Sequence, residues 1–176
     1  MKLAQCISQC KSLNHSITFI QETHIIGNKT IPFKDQELCG WRFINSGLKG
    51  KAKDGVGIAL SPEVELIGID NILNGRIILV RCILHGIKIS AISAYAPTEL
   101  YADSTKDNFF NKLNQAIQKV KRDFPGFKIL VGADMNATIG EDSFGPWDFL
   151  GPNNDQRETN DNGTRLLSLS NENKLF

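Results

Sequence analysis

Three apolar runs along the chain each end in a short polar cluster: Gln21-Glu22-Thr23-His24, Tyr95-Ala96-Pro97-Thr98 and Ala133-Asp134-Met135-Asn136. In α/β folds, catalytic and binding groups gather at strand ends, because the rigid sheet holds them and the following loops leave them accessible. Together the clusters supply two carboxylates, an amide and a phenol. This set is typical of one metal-assisted site, since Mg²⁺ takes one or two protein carboxylates and keeps waters for a phosphate substrate.

The first two clusters each carry one candidate group. Glu22 closes an apolar strand, where a buried carboxylate without a partner is costly, so a divalent cation would be its natural partner. A surface position or a helix cap is the alternative. Tyr95 could donate its hydroxyl hydrogen to a phosphate oxygen or stabilise a leaving group. Alternatively, it is a core side chain with a solvated tip.

The third cluster carries two candidates. Asp134 and Asn136 are two residues apart on an extended segment, so their side chains can point the same way. Asp134 could orient a nucleophilic water, accept its proton or bind the metal, and Asn136 could donate an amide hydrogen to a phosphate oxygen. A simple Asx-type turn after a core strand is the alternative.

The composition is that of a soluble globular protein. With 176 residues, the simplest organisation is one domain, 1–176, with a real core. A hydrophobic content of 41% with 22% charged residues argues against disorder. The formal net charge of +1 gives no global attraction to nucleic acid. A local case must rest on Lys49, Lys51 and Lys53, for which a solvated glycine-rich loop is the alternative.

The N-terminus and the cysteines indicate an intracellular, reducing compartment. Polar residues follow Lys2-Leu3-Ala4 at once and exclude a secretory signal, and no apolar run approaches membrane-spanning length. Cys6, Cys10, Cys39 and Cys82 lack a zinc-binding spacing. We expect all four to be small buried or half-buried groups.

Hydrophobic periodicity predicts an α/β sandwich of mostly antiparallel strands interrupted by helices. Helices are expected over 2–14, from Asp103 or Ser104 to the Pro125-Gly126 stop, and onward from a cap at Asp161 or Asn162. Strands are expected over 16–22, 41–45, 55–60, 63–69, 76–84, 88–95 and 128–133, with a tight hairpin turn at His85-Gly86. Residues 25–40 and 137–160 are expected to be loops, and 174–176 to begin another strand.

Taken in order, the motifs resemble the endonuclease/exonuclease/phosphatase superfamily. They are FIQETH at 19–24, GVGIA at 55–59, SAYAP at 93–97, VGADMNA at 131–137 and NDNGTRLL at 160–167. They most resemble the apurinic-like endonuclease domain of non-LTR (LINE-type) retrotransposons and their domesticated relatives. The resemblance implies a DNase I-like sandwich of two sheets and a Mg²⁺-dependent enzyme, with Mn²⁺ as an alternative ion. It also implies DNA as the partner, hydrolysed at its phosphodiester backbone, and action in the nucleus.

The resemblance assigns roles to individual residues. It implies that Glu22 binds the metal, that Tyr95 contacts the phosphate or the leaving group, and that Asp134 aligns or deprotonates the attacking water and can touch the metal. Asn136 lies beside Asp134 as a catalytic and substrate-binding residue. His24 is expected in a loop, at the surface or at the edge of the DNA.

The family pattern extends beyond both ends of this sequence. It includes an earlier asparagine-bearing strand and a terminal Asp-His or Ser-Asp-His element, whose place none of His15, His24 and His85 takes. The sequence therefore predicts a domain that is incomplete at both ends, with exposed apolar sheet edges and weak or no activity. Besides the endonuclease, two functions stay open: an inactive or domesticated remnant that binds or is inert, and a phosphatase or phosphodiesterase acting on a phosphorylated lipid or inositol.

Overall fold

The described residues form two four-stranded sheets at the centre of the fold. The computed structural model describes residues 3–140 and 158–175. The first sheet is antiparallel throughout, in the order β1-β4-β3-β2, with strands β1 Ile17–Gln21, β2 Lys29–Pro32, β3 Arg42–Ser46 and β4 Val56–Leu60. The second has the order β5-β6-β7-β8, with strands β5 Glu65–Leu73, β6 Ile77–Leu84, β7 Ile87–Tyr95 and β8 Lys128–Asp134. The predicted two-sheet α/β sandwich is confirmed.

The described residues form three helices. Helix α1 Leu3–Ser12 packs on the outer face of the first sheet, α2 Asp103–Asp123 packs on that of the second, and α3 Asp161–Asn173 packs against α2. Helix α2 is the crossover between β7 and β8, which are the one parallel pair among the described strands. A parallel pair needs such a connection, because a tight turn can join only antiparallel neighbours. As a result, the C-terminal ends of β7 and β8 lie side by side at the same end of the sheet.

The alternation of side chains along the strands produces a core in layers. In β6, Ile78, Val80 and Cys82 face the first sheet and pack on residues such as Ile58 and Leu60. Their neighbours along the strand, Ile77 and Leu79, face α2 and pack around its buried stripe of Phe109, Leu113, Ile117 and Val120. Since successive strand residues point to opposite faces, one apolar strand serves two layers. On the outer face of the first sheet, Ile7 and Cys10 of α1 pack with Trp41 and Phe43.

Two expectations for residues 25–40 are wrong. Lys29–Pro32 is a short strand, β2, which pairs with β3 at the edge of the first sheet. Three of its four residues are exposed, so it lacks the buried pattern that identifies a strand in a sequence. Pro32 is compatible with this position because an edge strand need not use every N–H in pairing. Cys39 is exposed, whereas the other three cysteines are buried or half-buried.

The helix boundaries also differ from the predicted ones. Helix α2 follows Ala102, whose side chain forms no cap, and α3 is capped by Asn160, one residue before the predicted positions. Residues 174–175 do not begin a strand. Lys174 takes a left-handed conformation, and the Leu175 N–H donates to Ser170 O at 3.1 Å, which closes α3 in a Schellman-type turn.

Part of the predicted 137–160 loop, and Phe176, lie outside the described residues. Within the described part of the chain, no helix is long and apolar enough to cross a bilayer.

Candidate active site at the strand ends

The three polar clusters meet at one end of the sandwich. Tyr95 closes β7 and lies opposite Asp134, the last residue of β8, in the parallel register. Strand β1 belongs to the other sheet, and Gln21 at its end joins the two: its side-chain amide donates to Ser93 Oγ at 3.2 Å and to Gly132 O at 3.1 Å. Glu22 therefore leaves β1 beside the ends of β7 and β8.

Glu22 and Tyr95 are in direct contact. The Tyr95 hydroxyl donates a hydrogen bond to Glu22 Oε1, and His24 Nε2 lies 4.0 Å from the other carboxylate oxygen. The Glu22 side chain is 55% exposed, so the expectation that this carboxylate is buried is wrong. Its backbone has φ +51°, a left-handed conformation that turns the chain sharply out of β1. The phenol, rather than burial, orients this carboxylate.

The Tyr95 ring is held by Arg76, which precedes β6. The guanidinium carbon of Arg76 lies 4.7 Å from the centre of the ring, and Nη1 donates to the Tyr95 and Ala96 carbonyls at 3.3 and 3.2 Å. Arg76 Nη2 also forms an ion pair with Asp54 Oδ2 at 3.1 Å, with both side chains 14% exposed. A hydrogen bond to the Glu22 carboxylate, together with burial, raises the pKa of Tyr95 to about 12. The phenol is therefore a hydrogen-bond donor at neutral pH.

The loop that carries Glu22 is fixed to the first sheet. The backbone N–H of Thr23 donates to Gly55 O at 3.1 Å, and that of His24 donates to Asp54 O at 2.9 Å. The Thr23 hydroxyl donates to Asn45 Oδ1 at 2.7 Å, and Asn45 is almost completely buried. Gly55 has φ +104°, and a Cβ atom there would lie 2.3 Å from Thr23 Oγ1. Glycine at this position is what allows the loop to approach so closely.

Asp134 and Asn136 form the Asx turn that was the structural alternative. The Asn136 N–H donates to Asp134 Oδ1 at 3.0 Å, and Asn136 has φ +46°, so the segment is no longer extended at this point. The segment is therefore not the extended one from which the Asp134 and Asn136 side chains were expected to point the same way. The Asn136 side-chain amide donates to Ala96 O at 2.8 Å, and the Ala96 N–H donates to Asp134 O at 2.9 Å. These bonds join the ends of β7 and β8, while the Asp134 carboxylate stays exposed.

The start of α3 supports this turn. Asn160 Oδ1 accepts from the N–H groups of Gly163 and Thr138, at 2.7 and 2.9 Å, and its amide donates to Asn136 O at 3.2 Å. Asn162 is completely buried and donates to Pro97 O at 2.8 Å and to Asn136 O at 3.3 Å. The α3 motif thus acts as a clamp on both loops of the second sheet.

The groups present fit a divalent ion of the magnesium type. Glu22 and Asp134 provide exposed carboxylates that are both adjacent to Tyr95, which donates to Glu22 and lies opposite Asp134 in the β7–β8 register. An ion that keeps most of its waters needs only one or two such ligands. Among residues 3–140 and 158–175, no group of three or more His, Cys, Asp or Glu side chains could hold a metal. The donor set therefore suits a hydrated ion and not a closed structural site.

Several residues that build this site were missed by reasoning from the sequence. Arg76, Asp54 and Asn45 act through contacts between distant segments, and none lies in one of the three clusters. The conspicuous Asn160-Asp161-Asn162-Gly163 run could have identified the clamp, because asparagines before a helix commonly cap it or bind nearby backbone.

No protein-family model matches the sequence, and no curated protein matches it either. Solved structures do resemble it. The endonuclease domain of TRAS1, a telomere-specific non-LTR retrotransposon, covers 96% of this chain at 18% identity with a TM-score of 0.62. The D. rerio TDP2 structure complexed with a single-strand DNA product covers 76% at 14% identity (TM-score 0.53), and an AP endonuclease from Archaeoglobus fulgidus covers 75% at 27% identity (TM-score 0.50).

The chain has the DNase I-like fold. The similar structures are all members of the endonuclease/exonuclease/phosphatase superfamily, so the resemblance stated from the sequence motifs is confirmed in the fold. The chain spans 63% of the TRAS1 domain, 52% of the D. rerio TDP2 chain and 51% of the archaeal enzyme.

Proposed function

We propose that this protein is a metal-dependent phosphodiester hydrolase of the retrotransposon-endonuclease type, which nicks DNA. The observation that carries this proposal is the meeting of Glu22, Tyr95 and Asp134 at three strand ends from both sheets. A carboxylate oriented by a phenol, beside a second exposed carboxylate, can receive a hydrated cation and one phosphate group. The chemistry of the groups and the similar structures support the same reaction class.

The carboxylates of Glu22 and Asp134 would hold Mg²⁺, and Mn²⁺ could replace it because oxygen ligands suit both ions. When bound, the ion would neutralise charge on the phosphate. Tyr95 holds the Glu22 carboxylate in a single orientation through its hydroxyl, and Arg76 in turn holds the ring. This chain of contacts is preorganisation: the ligand is in place before the substrate arrives.

Asp134 is the group best placed to act on water. Its second carboxylate oxygen can accept a proton from, or align, a water that attacks phosphorus, while Oδ1 accepts the Asn136 N–H. The Asn136 amide carries a second N–H besides the one directed to Ala96 O, and that hydrogen can be donated to a phosphate oxygen. The clamp by Asn160 and Asn162 keeps this turn in position.

The choice of DNA as the substrate rests on the similar structures. One is a retrotransposon endonuclease domain, one is an AP endonuclease and one is described with a single-strand DNA product. Inositol phosphates belong in the same assay, because the fold hosts several substrate classes.

The test is nicking of supercoiled plasmid by the 176-residue chain with Mg²⁺, with EDTA as the blank. We expect slow nicking that falls at least about tenfold in Glu22→Gln and in Asp134→Asn, since loss of a group that acts on the transition state commonly costs that much or more. Glu65→Gln removes an exposed carboxylate on β5 and serves as the matched control. Binding of Mn²⁺, followed by water proton relaxation, should weaken in the same two variants.

The proposal would be overturned by nicking that survives both substitutions, or by Mn²⁺ affinity that neither substitution changes. Hydrolysis of inositol phosphates with no action on DNA would support the alternative substrate class instead. Ion binding that depends on Glu22, with no turnover of any phosphodiester, would favour the inactive remnant.

A further inference from the structure

Leu100 is an almost fully exposed apolar residue in the turn that follows Tyr95 of the candidate site. It is 97% exposed, and Leu13, the next most exposed large hydrophobic residue described, is 64% exposed. A single exposed leucine is ordinary on a protein surface. Two features set Leu100 apart: the turn that carries it is firmly anchored, and its neighbours connect it to Tyr95.

The turn is held from three directions. The Tyr101 N–H donates to Thr98 O at 3.0 Å, which closes the turn around Leu100. Glu99 accepts the backbone N–H of Asn162 at 3.0 Å, and its other oxygen lies 3.7 Å from Nζ of the buried Lys106. The residues on both sides of Leu100 are therefore held by hydrogen bonds and an ion pair, while its side chain is exposed to solvent. A rigid backbone that presents an apolar side chain loses little conformational entropy on binding.

The next residue links this turn to the reaction centre. The guanidinium of Arg76 lies 5.6 Å from the centre of the Tyr101 ring and 4.7 Å from that of Tyr95. Lys53 Nζ lies 3.5 Å from the Tyr101 hydroxyl, and Lys49, Lys51 and Lys53 are all exposed on the loop before β4. We name Lys53, Leu100 and Tyr101 the rim. The rim combines a cation, an aromatic ring and an apolar tip, and Arg76 joins it to Tyr95.

We propose that the rim is a DNA-binding surface on which Lys53 contacts a backbone phosphate and Leu100 wedges against a base step. The inference rests on the proposed function and specifies how the substrate is chosen. Proteins that insert apolar side chains between base pairs unstack and kink the duplex, at a cost that depends on the step being opened. The rim therefore favours duplexes whose stacking is weak, such as those with a mismatch or a flexible pyrimidine–purine step.

The test measures binding in EDTA, so that no hydrolysis takes place. Fluorescence anisotropy compares two labelled duplexes of the same sequence, one fully paired and one with a central mismatch. Wild type should prefer the mismatched duplex, and Leu100→Ala should reduce that preference by about tenfold, the scale of one lost contact with a base. Leu100→Met keeps the apolar reach and should retain the preference. Leu13→Ala is the matched control, because Leu13 is exposed and lies between α1 and the start of β1, whereas Glu22 follows the end of that strand.

Lys53→Gln should behave differently. It should weaken binding to both duplexes equally and reduce the slope of affinity against salt concentration by about one, the effect of a single lost phosphate contact. Lys88→Gln, at the start of β7 and hence at the opposite end of that strand from Tyr95, should change neither.

The outcomes separate this inference from the proposed hydrolase. If wild type nicks plasmid but Leu100→Ala keeps both its affinity for DNA and its preference for the mismatch, the inference about the rim is wrong and the proposed hydrolase activity is supported. If wild type prefers the mismatched duplex and loses that preference in Leu100→Ala, but nicks no DNA, the inference about the rim is supported and the proposed hydrolase activity is wrong. Equal affinity of wild type for the two duplexes, or no binding to either, would overturn the inference that the rim binds DNA.

Discussion

Gly55→Ala should displace the loop that carries Glu22 and destabilise the protein measurably. The new Cβ atom would lie 2.3 Å from Thr23 Oγ1, whereas ordinary van der Waals contact lies at 3.4–4 Å. Thr23 can respond in two ways. Its backbone can move by about 1 Å, which carries Glu22 with it, or its hydroxyl can rotate away and leave Oδ1 of the buried Asn45 without its partner.

The size of the effect follows from two terms. A φ of +104° lies outside the left-handed region that alanine tolerates, which costs about 1–3 kcal/mol. Either response of Thr23 adds about 1–3 kcal/mol, from overpacking or from the unpaired acceptor. We therefore expect Gly55→Ala to lower the free energy of unfolding by about 2–6 kcal/mol, the sum of the two terms.

Gly50→Ala is the matched control for this experiment. Gly50 lies in the same loop and also has a positive φ, +70°, but no described atom lies within 4 Å of a Cβ built there. Only the backbone term applies, so the loss should be about 1–2 kcal/mol. Urea denaturation of both variants measures the difference. Removing the clash partner in the double variant Gly55→Ala/Thr23→Ala should recover about 1 kcal/mol relative to the sum of the single changes.

Two results would refute this reasoning. The first is a Gly55→Ala variant no less stable than Gly50→Ala, which would mean that the loop gives way without cost. The second is strict additivity in the double variant, which would mean that Thr23 Oγ1 is not the atom with which the new Cβ collides. In both cases the close packing of the Glu22 loop on Gly55 would not determine the position of the carboxylate.

Two further predictions concern Tyr95 and Asn162. The pKa of Tyr95 is raised from 10.0 to about 12, so the stability contributed by its hydroxyl is fully present below pH 10 and is lost as pH rises through the folded-state pKa. The difference in unfolding free energy between wild type and Tyr95→Phe should therefore stay constant at neutral pH and shrink above pH 10; urea titrations that show a constant difference up to pH 12 would contradict it. Asn162→Asp places a carboxylate against the Pro97 and Asn136 carbonyls and should cost about 2–4 kcal/mol in urea, whereas Asn108→Asp on exposed α2 should cost nothing.

The elements that were predicted correctly carry a hydrophobic pattern in their own sequence that shows which of their residues are buried. Helix α2 has a complete apolar stripe, and strands β6 and β7 have long apolar runs joined by a turn at His85-Gly86, where both residues have positive φ. Strand β2 was missed because it is exposed and exists through its pairing with β3, which no local pattern records. The same limit applies to the end of α3, where the apolar Leu175 packs against the core cluster that contains the buried face of α2.

The site follows the same division. The sequence places Glu22, Tyr95 and Asp134 at strand ends, and the structure brings them together there. Their partners could not be predicted, because a contact such as that between Tyr95 and Glu22 joins residues 73 positions apart. Asn136 shows the consequence: its residue type suggested an amide free for a phosphate, but one of its hydrogens is already directed to Ala96 O.

The distance between the two carboxylates depends on how the sheets pack and not only on the strand ends. Glu22 belongs to the first sheet, and Asp134 to the second. Close approach of β1 and β8 requires Gly132, since a Cβ atom there would lie 2.2 Å from the ring of Phe19. The absence of a side chain at Gly132 thus leaves room for the Phe19 ring between the sheets. Gly132 lies two residues before Asp134, and Phe19 lies three residues before Glu22. A side chain at this position would push the strands apart and shift the two carboxylates relative to each other even if every residue at the strand ends were unchanged, so Gly132 helps to position the candidate site.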